Sequence, residues 1–226
     1  MLVRVRIWLP DAPGVLGAVA AEIGAVKCNV VGLEVLEREA GVAVDELVVE
    51  LPDDPGAVDA LSRGVRNVPG AGVEEVTELR DPGATHVHDR EESVLASATS
   101  ILERQTPEAA LEALTDSLIV LFSLTWLALL DDALEQFVET HGDLPSVEWV
   151  VAFAEGARSG SDPANDTTGS VVFIEPVPGS GLTVCGGRPS AIRRRERHEI
   201  GMLVTVASRY IEALTVRGLG GPPAGT

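Results

Sequence analysis

Six residues near the start of the chain, Asp11-Ala12-Pro13-Gly14-Val15-Leu16, carry the groups needed to hold a small zwitterion. They follow an alternating segment, Val3 to Leu9, and lead into an apolar run, Gly17 to Ile23, so a strand enters a Pro-Gly turn and leaves as a helix. The first amides of a helix lack intrahelical partners and sit at the positive end of its dipole. A ligand carboxylate would find such amides at Gly14, Val15 and Leu16, while Asp11 would cap the helix or accept a ligand ammonium. The plainer alternative is an N-cap followed by Pro near the first helical position.

Other chemistry-bearing residues give less. His86 and His88 alternate around Val87 in a polar stretch, too few for a metal centre without carboxylates from elsewhere. Asp131-Asp132 reads as a solvated turn after a strand. Cys28 and Cys185 lie far apart without CxxC or CxxH company, which indicates neither a disulfide framework nor a zinc site. Cys185 alternates with Val184 and reads as core. The tract Arg193-Arg194-Arg195-Glu196-Arg197 opens a helix, where cations oppose the dipole, so acidic groups of the protein are expected to hold it. No GxSxG, HExxH or Walker loop is present, and Cys185-Gly186-Gly187-Arg188 lacks dinucleotide-site spacing. The expectation is a protein without enzymatic activity and without a cofactor.

The elements that must position the first turn are legible over residues 1–80. After the helix, Asn29 to Arg38 and Val42 to Leu51 read as a β-hairpin around Glu39-Ala40-Gly41. A second helix begins near Asp54-Pro55, with Val58, Leu61 and Val65 at helical spacing, and a strand from Val73 to Leu79 follows. The β-α-β-β-α-β order is the ferredoxin-like one. On Asp11-x-Pro13-Gly14-Val15-Leu16, the apolar helix and Asn29-Val30 opening the second strand, residues 1–80 resemble an ACT domain, a small regulatory module that often binds amino acids. The resemblance implies an effector site at Asp11, Pro13, Gly14, Val15, Leu16, Asn29 and Val30, often at an interface between two such domains. The turn itself has no basic side chain, so carboxylate recognition is expected to rest on backbone amides.

Residues 81–90 form a linker with turn signals. Beyond it, helices over 91–105 and from Pro107 precede strands at 125–130 and 135–140, a helix from Ser146, strands at 170–175 and 182–186, and a helix over 192–216. The run Leu118 to Leu130 is too short and too polar at its ends to cross a bilayer, and reads as a buried helix passing into a buried strand. On its lead-in helix, Trp126 to Asp131, the strand pair Val171 to Pro176 and Gly181 to Arg188, and Arg195-Glu196-Arg197, the segment 91–217 resembles a compact GAF domain, with 218–226 a flexible tail. The resulting fold class is α+β: an N-terminal ferredoxin-like ACT domain, then an α/β GAF-like domain with an antiparallel sheet between helices.

With 35 acidic and 17 basic residues, a net charge of −18 opposes nucleic-acid and anionic-membrane partners. No secretory leader is visible, and the cysteine usage fits a cytoplasmic protein. The reading is a homo-oligomeric, amino-acid-sensing regulatory protein. The alternatives are a pairing module without a ligand and an enzyme with an unrecognised pocket in the second half.

Overall fold

Val3, Val5, Ile7 and Leu9 alternate with Arg4, Arg6 and Trp8, and this period of two becomes strand β1 (Leu2–Pro10), whose four apolar residues are all buried. The computed structural model describes residues 1–79, 90–133, 135–158, 171–178 and 180–219. His86, His88, the linker up to residue 89 and the tail beyond Leu219 lie outside them; Arg90, expected to end the linker, opens a helix, and the last helix runs on to Leu219, into the segment expected as tail. The architecture is α+β, with two four-stranded antiparallel sheets and six helices among the described residues. The chain divides into two units, one of Met1–Arg90 with Arg193–Arg195, the other of Glu91–Ile192 with Glu196–Thr226.

In unit 1, β1 is followed by α1 (Val15–Ala25), β2 (Asn29–Glu39), β3 (Val42–Glu50), α2 (Ala57–Asn67) and β4 (Gly72–Glu78). The sheet order is β2-β3-β1-β4, which leaves β2 and β4 at the edges. Ala40 and Gly41, both at positive φ, turn β2 back into β3. One face of the sheet is apolar: the odd residues of β1 pack with Leu47 and Val49 of β3, Val19 and Ile23 of α1, and Leu61 and Val65 of α2. The other face is charged. There Glu46 of β3 meets Arg6 at 2.9 Å, Arg4 at 3.2 Å and Arg90 at 3.6 Å. Within the same unit Arg193 bridges Glu37 and Glu74, and Arg195 meets Glu34 at 2.7 Å.

Unit 2 takes in all but the first residue of α3 (Arg90–Leu102), then α4 (Pro107–Phe122), β5 (Trp126–Asp131), β6 (Gln136–Gly142), α5 (Val147–Arg158), β7 (Val171–Val177) and β8 (Leu182–Arg188), and most of α6 (Arg194–Leu219). Thr106 caps α4 by accepting from the Ala109 amide, and Pro107 follows at the first helical position. The sheet order is β6-β5-β8-β7. Alternation along β5 sends Leu127 and Leu129 into a core with Leu114, Leu118 and Phe122 of α4 and Leu203, Val204 and Ala207 of α6. Trp126 and Leu130 face the opposite way, onto Val150 and Ala154 of α5, with Cys185 beside them. The long apolar run is thus the end of α4 and all of β5, and no described helix is long and apolar enough to cross a membrane.

Candidate ligand site at the first turn

The chain leaves β1 at Pro10 and is folded back at once, the Ala12 amide donating to the Pro10 carbonyl at 2.9 Å. The Asp11 amide donates to the Gly41 carbonyl, also at 2.9 Å, so the turn is tied to the β2–β3 hairpin loop. Gly14 is the N-cap of α1, at φ +87° with open space where a side chain would stand, a backbone conformation that favours glycine. Asp11 therefore does not cap the helix, in contrast to one of the two roles its sequence position allowed. The Val15 amide donates to the Ala12 carbonyl at 3.3 Å, whereas the amides of Gly14 and Leu16 make no hydrogen bond to another described residue.

The Asp11 carboxylate is instead paired with Arg38, Oδ1 to Nη2 at 2.9 Å, with Arg38 65% exposed and Asp11 35%. The sequence expectation that the turn lacks a basic side chain holds for its own residues and fails in space. The hairpin returns Arg38, near the end of β2, to the turn. Arg38 lies opposite Ala43 on β3, and directly opposed residues point to the same face of a sheet. Asp45, two positions further along β3, shares that face, across which a diagonal neighbour is within reach of a long side chain.

Asp45 is only 2% exposed, and its Oδ1 has no hydrogen-bond partner. Burial pushes its carboxyl above the usual aspartate range; the Arg38 guanidinium pulls it down and the Asp11 carboxylate pushes it up again. Asp11, Arg38 and Asp45 thus form one electrostatic cluster on the side of the sheet where Val15 and Leu16, the first residues of α1, pack on the core.

The remaining residues of the expected site divide between the turn and the far end of the sheet. Pro13 and Gly14 are exposed in the turn, beside Asp11. Asn29 and Val30 pair with Glu50 and Val49, whereas Pro10 pairs with Val42, so they lie at opposite ends of β3, about 26 Å apart at the usual strand rise. One chain does not bring Asn29 and Val30 to the Asp11 turn. Sequence reasoning missed Arg38 and Asp45. The signal that could have found Asp45 is the Asp45-Glu46 pair interrupting an otherwise apolar central strand, Val42 to Val49.

In unit 2 several ionisable groups are held by the fold itself. Both carboxylate oxygens of Asp132 accept from the Thr183 hydroxyl, at 2.8 and 3.0 Å, rather than standing free in a solvated turn. Arg188 is buried, paired with Glu196 at 2.6 Å, and also donates to the carbonyls of Ser190 and Ala191. Burial raises the Glu175 carboxyl above its ordinary range. Among the described residues no cluster of three or more His, Cys, Asp or Glu could hold a metal ion.

No family model matches the chain, and no curated protein matches it. Among solved structures it is similar to a formyltetrahydrofolate deformylase from Pseudomonas putida KT2440, at 18% identity over 36% of this chain and 30% of that one, with a TM-score of 0.29. It is also similar to GqqA, a quorum-quenching acylase, at 17% identity over 37% and 44% of the two chains, TM-score 0.29. A protein of unknown function from Galdieria sulphuraria is matched at 13% identity over 94% and 92% of the two chains, TM-score 0.29. The chain spans less than half the length of the first two.

Proposed function

We propose that unit 1 is an ACT-like amino-acid-binding module in a non-enzymatic regulatory protein whose second, GAF-like unit or whose dimer interface passes on the signal. The observation that carries this reading is the Asp11–Arg38 pair beside the Gly14 and Leu16 amides. Arg38 and the amides suit a carboxylate, Asp11 an ammonium, and the pair is exposed enough to exchange its internal partner for a ligand.

A second copy of the chain accounts for Asn29 and Val30. Strand β2 is an edge, with Leu33 and Val35 exposed on it. Pairing two β2 edges antiparallel about their midpoints sets Asn29 of one copy level with the Asp11 turn of the other, giving a homodimeric site. The same edge supports a second reading, a pairing module that binds nothing. A thermal-shift series with the common amino acids separates the two: a ligand at a hundred times its dissociation constant stabilises the folded state by about 2.7 kcal/mol. A clear rise for one chemical class supports sensing; flat melts with a dimer by light scattering support pairing alone.

A further inference from the structure

Asp45 is the one described aspartate buried in the middle of a sheet, and its environment differs sharply from that of the adjacent Glu46. Glu46 points to the charged face and is met by Arg4, Arg6 and Arg90. Asp45 points to the apolar face, opposite Ile7 on β1 and Val35 on β2, neither of which can bond it. A carboxylate left without a full set of partners in an apolar setting costs stability, and a strand core of this composition would pack better with Val or Asn there. Groups kept in such a state are concentrated where proteins bind or react.

We infer that Asp45 is the anchor for the ammonium group of an amino acid bound at the first turn, with Arg38 and the Gly14 and Leu16 amides on its carboxylate. The inference rests on the proposed amino-acid site and assigns its cation-binding half to a residue on β3 rather than to the turn. The physical reason is the division of charge. Asp11 is 35% exposed and is solvated when Arg38 leaves it, whereas the Oδ1 of Asp45 is buried with no hydrogen-bond partner. When a ligand carboxylate draws Arg38 away from Asp11, the field that Arg38 places on Asp45 weakens, and the incoming ammonium replaces it. Ligands that carry both charges therefore gain twice, and carboxylates without an amine lose the buried half of the interaction.

The charged groups whose fields reach Asp45 are Arg38 from β2 and Asp11 from the turn. The residues paired with Asp45 across the sheet, Ile7 of β1 and Val35 of β2, are uncharged. Acidification that protonates Asp45 thus weakens amine recognition, and this loss begins above the pH at which an ordinary aspartate titrates.

The test is calorimetry on the full chain with L-amino acids and their matching des-amino carboxylic acids, for wild type, Asp45→Asn and Arg38→Gln. Wild type is expected to prefer the amino acid. Asp45→Asn should lose roughly tenfold to hundredfold in affinity for the amino acid while the des-amino acid binds no more weakly than to wild type, so that the preference for the amine collapses, and it should melt no lower than wild type. Arg38→Gln should weaken both ligands. Equal amino-acid affinity in Asp45→Asn and wild type overturns this inference alone. Absence of wild-type binding to every amino acid overturns it together with the reading it rests on.

Discussion

Asp45 and Glu46 are sequence neighbours in β3, both buried, yet Glu46 has three arginines within 3.6 Å while Asp45 faces the apolar side with its Oδ1 unbonded. The strand's alternation separates them to opposite faces of one sheet. The same chemistry is thereby held by three arginines on one face and left with an unbonded oxygen on the other.

For Glu46 the consequence is stability. Glu46→Gln leaves Arg4, Arg6 and Arg90 crowded together without their shared anion, and removing one partner of a buried ionic group costs about 3–5 kcal/mol. Urea unfolding of a Trp126→Phe, Trp149→Phe background, which leaves Trp8 as the reporter, measures it; a loss under 1 kcal/mol, the range of an exposed pair, would contradict the network's importance.

The two raised carboxyls set a pH dependence. Asp45 and Glu175 hold protons more tightly folded than unfolded, because burial penalises their charged forms. In the window between the unfolded and folded values the native state binds more protons, so their contribution to stability falls as pH rises through it. Below that window the penalty vanishes, and above it the penalty is complete. Chemical denaturation across pH should show a component with this slope that disappears in the double variant Asp45→Asn, Glu175→Gln; an identical pH profile in variant and wild type would reject the assignment.

The arginine tract tests the charge argument. Arg193 reaches Glu37 at 3.2 Å and Glu74 at 2.6 Å, and Arg195 reaches Glu34, as expected for a basic tract in a chain of net charge −18. Arg193→Glu is expected to lower stability by roughly 1–3 kcal/mol, between the ranges for exposed and buried pairs, and raised salt should shrink the difference. Micromolar binding of wild type to random duplex DNA at low salt, lost as salt rises, would show instead that the tract serves phosphate.

Gly142 at the end of β6 is a backbone test in unit 2. Its φ is +75°, and a side chain there would overlap the Thr125 carbonyl oxygen. Gly142→Ala should cost about 2–4 kcal/mol from left-handed strain and the clash together. Trp126 and Trp149 fluorescence reports the unfolding, and a neutral effect would contradict the close approach of Gly142 to the Thr125 carbonyl.

Most of the fold was legible because its signals are local. Alternation fixed β1, and Thr106-Pro107 fixed the start of α4. Leu118 to Leu130 was rightly read as helix passing into strand, although periodicity alone does not mark the break at Ser123, whose φ of +51° ends the helix. The start of α2 was placed early because Asp54 bonds the Gly56 amide in a turn that delays the helix to Ala57. The site was legible only in part. The turn could be read from Asp11 to Leu16, but Arg38 reaches it through the hairpin's return and Asp45 through strand alternation. The return of Arg38 is not encoded by spacing along the chain, and Asp45 shows there only as half of an acidic pair interrupting an apolar strand. The distance of Asn29 and Val30 from Asp11 likewise follows from register, which is set by pairing between strands.

The central claim is that a zwitterionic amino acid sits at the Asp11 turn, and amide chemical-shift mapping on the full-length protein tests it most directly. Titration with the amino acid that raises the melting temperature most should move the amide signals of Gly14, Val15 and Leu16, together with Arg38 and Asp45, and saturate with one dissociation constant. Shifts confined to residues of unit 2, or no saturable shifts with any amino acid, would contradict it.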